Sequence, residues 1–241
     1  MTDAISVENM RLSDAATING GISSLLLMYR AAKAISLSDD YEGKIAIVVG
    51  SGNNGGDGFA LATILKKEHK DITVITVTDH YSEDSNYYRD RALSLGVTEI
   101  IFDKATVSLD SYDVIVDCLL GTGFTGVPRG KYLDVILEIN NNKKATIISA
   151  DIPSGLNGDT GECYASVVAT KTVTIGCIKI GLLVNNAFSY VGKLYLALIG
   201  ITPLYKENLV CTSEEKILAN NVNTFVVDYE IIDTSDINDI A

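Results

Sequence analysis

The chain has 241 residues and a formal net charge of −12, with 47% hydrophobic and 21% charged residues, enough to bury a sizeable core in one large domain. The acidic balance and the lack of a basic stripe exclude nucleic acid as the main partner. Four cysteines without CxxC spacing and two histidines exclude a zinc site, and no apolar run approaches the roughly 20 residues of a membrane span. The acidic N-terminus has no signal-peptide character, and a reducing cytosol is the expected location.

Apolar residues at helical spacing over 4–18 predict a first helix, ended by Gly20 and Gly21. A second follows over 22–36, with Ser23 or Ser24 as its start. Strands are then predicted at 44–49, 71–78, 97–102, 112–120, 145–150, 171–175 and 193–199. Helices are predicted at 56–69, 82–95 and 131–142, and a loop or short helix at 184–190. The acidic stretch 228–241 reads as a loosely held tail. Alternating strands and helices predict an α/β fold, a mostly parallel sheet in a three-layer αβα sandwich, preceded by two helices. Such sheets bind ligands at the carboxyl ends of their strands, which directs attention to the loops after Val49, Val116 and Ala150.

The first loop reads GSGNNGGDG. Gly50, Gly52 and Gly55 match G-x-G-x-x-G between a strand and a helix, and Asp79 stands near the place of a ribose-binding acid. Asp57 argues against a plain pyrophosphate cradle, because a carboxylate in the first helical turn competes for the same N–H groups. The second loop, DCLLGTGFTGVPRG, begins at Asp117 and offers Gly121, Gly123, Gly126 and Gly130 with Thr122 and Thr125. The third, ADIPSGLNGDTG, places Asp151 directly after a strand, well set for proton transfer, with Pro153 and Ser154 following. The three loops together are oxygen-rich. Asn53, Asn54, Asp57, Asp117, Asp151 and Ser154 suit a hard cation, and one carboxylate with an amide and a hydroxyl favours a monovalent ion over calcium.

These three segments, with LLLM near residue 27, TVTIGCIKIGLL at 172–183 and LIGIT at 198–202, resemble the YjeF N-terminal domain family over most of residues 5–205. Its best-understood members are NAD(P)HX epimerases. The resemblance implies a Rossmann-like fold, a homodimer, and interconversion of the R and S forms of hydrated NADH and NADPH. It implies one potassium ion per subunit at Asn54, Asp117 and Ser154. It implies substrate contacts at Asn53, Asn54, Gly55, Gly56 and Asp57, phosphate contacts at Gly121, Thr122, Gly123, Phe124, Thr125, Gly126 and Val127, and Asp151 as the acid beside the damaged ring. A separately encoded dehydratase is the implied functional partner, and residues 206–241 form an acidic extension of the domain. The chain departs from the family's L-M-E-N-A-G at Tyr29 and Arg30, and again at Thr170, Leu198 and Thr202. Two other readings remain: a non-catalytic ligand-binding or dimerisation scaffold, and an NAD-dependent oxidoreductase, for which no hydride-transfer constellation is found.

Overall fold

The computed structural model describes residues 2–207 and 228–240, with the backbone of 210–211, 218–219 and 222–223. Eight strands form the central sheet: β1 Lys44–Val49, β2 Asp71–Thr76, β3 Thr98–Ile101, β4 Val114–Cys118, β5 Thr146–Ala150, β6 Lys171–Ile175, β7 Lys193–Leu198 and β8 Tyr229–Asp233. Their order is β8-β7-β6-β5-β4-β1-β2-β3, and every neighbouring pair is parallel.

The central strand β1 feeds a different core with each of its faces. Ile45, Ile47 and Val49 of β1 join one cluster, and Ala46 and Val48 the other. This is why β1 reads as an unbroken apolar run. The first cluster is covered by α2 Ser24–Ser36, α3 Asn53–Lys67 and α4 Glu83–Ser94, and the second by α5 Lys131–Asn141. A four-residue helix, α6 Phe188–Val191, lies beside β7 over a third cluster. The helix α1 Val7–Asn19 precedes α2. Serine hydroxyls start three of these helices: Ser6, Ser23 and Ser82 each accept a backbone N–H three residues on.

Two expectations change. Helix α3 begins at Asn53, so most of the glycine-rich stretch is helix, not loop. Glycine inside a helix costs about 1 kcal/mol relative to alanine. Here close packing requires it. A Cβ on Gly58 would lie 2.7 Å from Val49 Cγ1 and 2.9 Å from Cys118 Cβ, and one on Gly55 would collide with the Gly50 carbonyl. Propensity thus misplaces the helix start, because contact with β1 and β4 sets it. The second change is the tail. Residues 229–233 are not loose but add β8 to the sheet, in register from Tyr229↔Leu194 to Asp233↔Leu198. Its acidic residues hide an apolar pair, of which Ile232 packs on the core.

Candidate active site

The strand order reverses between β1 and β4. After β1 the chain builds outward through β2 and β3, then returns to β4 on the other side. The register Val49↔Cys118 ends both strands at one level, so the connections after them part and leave a crevice. A cavity of about 520 Å³ opens there. Its walls include Asn53, Asn54 and Asp57 from α3, Gly121 to Phe124 after β4, and Asp151 after β5. The three loops singled out in the sequence therefore meet.

Asp151 sits at φ +68°, in the left-handed region that Asp tolerates better than most residues. Its amide donates to Val173 O at 2.8 Å, which fixes the turn over the sheet edge. One carboxylate oxygen, Oδ1, takes an ion-paired hydrogen bond from Lys179 Nζ and a long one, 3.4 Å, from Ile175 N. The other, Oδ2, lies where a Cβ on Gly121 would be 3.5 Å away. The carboxylate is held by one oxygen, leaving the second toward the Gly121 loop.

Lys179 was not singled out by sequence reasoning. It is 1% exposed, and its ammonium also donates to Ile175 O at 2.6 Å and Thr174 Oγ1 at 3.3 Å. All three protons are used. The signal was present in the sequence: a lone lysine within TVTIGCIKIGLL, a residue type almost never buried without a partner. Asp14 was missed too. Met10, Asp14 and Ile18 of α1 recur every four residues and line the cavity as one helix face. Burial, with Asp151 and Asp14 nearby, holds the Asp57 carboxyl well above the ordinary carboxylate range, Lys179 offsetting part of this. Burial and Asp151 raise Asp14 in the same way.

The three ligands expected for an ion converge beneath the second loop. Asp117 is fully buried and accepts from Ser149 Oγ, Ser154 N, Ser154 Oγ and Leu119 N. Burial raises its carboxyl, and these bonds offset the rise. Asn54 Nδ2 donates to Leu120 O at 3.1 Å, and Leu120 N donates to Ser154 Oγ at 2.8 Å, so the Leu120 backbone joins the two side chains. Asn54 Oδ1 is the buried side-chain polar atom left without a partner among the described residues. A buried amide oxygen with no donor costs roughly 1–3 kcal/mol, a cost that a cation at this position would offset.

Other expected residues lie elsewhere. Gly55 and Gly56 are buried in the first turns of α3, Gly56 against Met28 and Ser85. Thr125, Gly126 and Val127 are outside the cavity lining, and Val127 is 39% exposed. Asp79 lies beyond β2, exposed beside His80, and does not line the cavity. Tyr29 and Lys33 do stand at the Tyr-x-x-x-Lys spacing of some hydride-transfer enzymes, which the sequence reading passed over. Tyr29 is in the core and Lys33 pairs with Glu68, so neither reaches the cavity.

A model of the family described as "YjeF-related protein N-terminus" matches residues 24–181, which hold all three loops. The chain belongs to this family. It is similar to the NAD(P)H-hydrate epimerase of Lentilactobacillus buchneri, 36% identical over 217 residues, spanning 83% of this chain and 96% of the relative. The corresponding protein of Limosilactobacillus reuteri (strain DSM 20016) is 37% identical over 216 residues, spanning 82% and 96%. A bifunctional NAD(P)H-hydrate repair enzyme of Leishmania major is 40% identical over 160 residues, 64% of this chain and 28% of that one. Among solved structures, the yeast protein ynu0 aligns with TM-score 0.66 at 20% identity over 74% of this chain and 82% of its own, a likeness of fold. The stretch matched to the YjeF-related domain supplies Asp151 to the cavity. Its departure at Arg30 lies outside the cavity, buried under the C-terminal segment.

Proposed function

We propose that this chain interconverts the R and S epimers of hydrated NADH and NADPH. The observation that carries the reading is the Asp151 carboxylate, anchored through Oδ1 by Lys179, with Oδ2 facing the Gly121 loop in a crevice of the size and position for a nucleotide. The substrate carbon bears a hydroxyl and neighbours the ring nitrogen. When that hydroxyl takes up a proton, the C–O bond breaks, water departs, and the nitrogen lone pair forms an iminium. Water then adds to the opposite face and gives a proton back. Ring opening to an aldehyde and reclosure is the other route. Both need one group to give and take a proton, and Asp151 Oδ2 is that group. A carboxylate beside the ring also stabilises the iminium by charge. Asp57 and Asp14, both held above the usual carboxylate range chiefly by burial, line the same cavity. Lys179 acts through Asp151 as a positioning residue.

Potassium, one ion per subunit, is assigned to the pocket at Asn54 Oδ1, with Asp117 and Ser154. The unpartnered amide oxygen fits a cation, and Ser154 Oγ retains an acceptor lone pair. When bound, the ion would supply positive charge beneath the loop at Gly121 to Phe124, steadying it under the substrate phosphates. The chain is assigned as a homodimer working in the cytosol, its product consumed by a separately encoded dehydratase. The Leishmania relative, named a bifunctional NAD(P)H-hydrate repair enzyme, supports a coupled second step. No described helix is long and apolar enough to cross a membrane.

The test is to incubate the protein with one isolated NADHX epimer, with and without potassium, and follow the epimer ratio by chromatography beside Asp151→Ala. Faster equilibration by the wild type alone is expected. Equal rates for both proteins and the buffer blank would return the chain to the scaffold reading. Reduction of NAD on mixing with alcohols would favour the oxidoreductase.

A further inference from the structure

Strand β8 and the residues after it lie beyond the stretch that the family model matches, yet they are joined to the cavity. Past β8 the chain turns and runs back over α2, where Ile237 and Ile240 pack on the main core. Arg30 of α2 is buried beneath this segment, 3% exposed. Its Nε donates to Ile237 O at 2.7 Å and its Nη1 to Ile199 O at 2.8 Å. Thr234 answers from the other side. Its hydroxyl donates to Arg30 O at 3.0 Å, and its amide to Leu198 O at 2.9 Å.

One of the two carbonyls that Arg30 holds belongs to a wall of the site, and α2, which carries Arg30, is another. Ile199 and Ile201 line the cavity, and so do Leu27, Met28 and Ala31 of α2 itself. The backbone between the two isoleucines is shaped to admit the guanidinium. Gly200 has φ +95°, and a Cβ there would come within 2.6 Å of Arg30 Nη1. The planar fork of arginine satisfies two carbonyls at fixed separation, which the lysine ammonium, a point donor, does not reproduce. Without it, the buried Ile199 carbonyl and the half-buried Ile237 carbonyl lose their charged donor, and the turn after β7 loses its tie to α2.

We propose that residues 228–240 act through Arg30 as a positioning element for the Ile199–Gly200–Ile201 wall, so that substrate affinity depends on a strand outside the family-matched region. Asp151 and Lys179 are not touched by this device, so it sets binding rather than the chemical step. The inference rests on the epimerase reading for its kinetic test only.

The experiment compares full-length wild type, Arg30→Met and Arg30→Lys. Epimer interconversion is measured as kcat and KM, and amide hydrogen exchange is followed over residues 196–201. Arg30→Met is expected to raise KM about tenfold with kcat within about twofold, Arg30→Lys to fall between, and exchange over 196–201 to rise at least tenfold while 114–118 stays protected. Unchanged exchange there in folded Arg30→Met would overturn the proposal, and so would a loss in kcat at constant KM. Should Arg30→Met not fold, Arg30→Lys carries both readouts. A wild type that interconverts neither epimer defeats the epimerase reading alone, since exchange still decides the coupling.

Discussion

Lys179→Met removes the cation from a buried pair while keeping most of the side chain's volume. The ammonium makes three contacts, to Asp151 Oδ1, Ile175 O and Thr174 Oγ1, and the methionine replaces none of them. Breaking one half of a buried ion pair costs about 3–5 kcal/mol, because the other charge stays behind unpaired. Asp151 is 14% exposed at its side chain and keeps the Ile175 amide at 3.4 Å, so the lower end applies, about 3 kcal/mol. For a chain of this size that is a fall in Tm of about 6–12 °C. Urea denaturation gives the same quantity at constant m. Adding Asp151→Asn removes the stranded charge, so the double variant should be more stable than the sum of the two single changes by about 1.5 kcal/mol or more. The activity readout runs in parallel: in an Asp151→Asn background, Lys179→Met should slow epimerisation no further. Single variants that add, or a Lys179→Met protein within about 0.5 kcal/mol of wild type, would show that the pair is not what holds Asp151.

Gly58→Ala should cost about 1–3 kcal/mol by pushing α3 off Val49 and Cys118, seen as a lower Tm and, through Asn53 and Asn54, a raised KM. Asp57 has a folded pKa above its unfolded value, so its contribution to stability is present at low pH and is lost as pH rises through the window above 3.8. Asp57→Asn should therefore stabilise the protein at pH 7 more than at pH 4, and a flat difference between the two in thermal melts would contradict the assignment. Asn54→Leu removes the unpartnered oxygen. If potassium sits there, wild type should gain Tm in potassium over lithium chloride at equal ionic strength, and the variant should not.

The layer order, the parallel sheet and the meeting of three loops were legible in sequence, because each rests on local pattern: apolar runs for strands buried on both faces, serine caps, and polar residues where strands end. What was not legible was set by tertiary contact. The start of α3 depends on how near Gly55 and Gly58 come to β1 and β4, and glycine's own preference points the other way. Strand β8 has only two isoleucines amid acids, and the segment that carries it is tied down through Thr234 and Ile237 to Arg30, remote in sequence. Lys179 has no motif of its own and gains its role from a turn 28 positions earlier at Asp151. Resemblance to the family placed Asp151, Asn54, Asp117 and Ser154 in one region, and the hydrogen bonds of the Leu120 backbone to Asn54 and Ser154, with Asp117 behind Ser154, give three of them a physical grouping.

The chain ties α1 and α2 to residues made about 200 positions later. Ser6, which caps α1, gives its amide and hydroxyl to Glu207, 201 positions away, and Arg30 of α2 reaches Ile237, 207 positions away. On the ribosome, α1 and α2 emerge long before either partner exists. The sheet from β1 to β7 can assemble while these two helices wait without their closing contacts, so the cavity wall they form is completed only after residues 228–240 clear the exit tunnel. A nascent chain stalled before residue 228 would then carry the loops of the site without their finished lining.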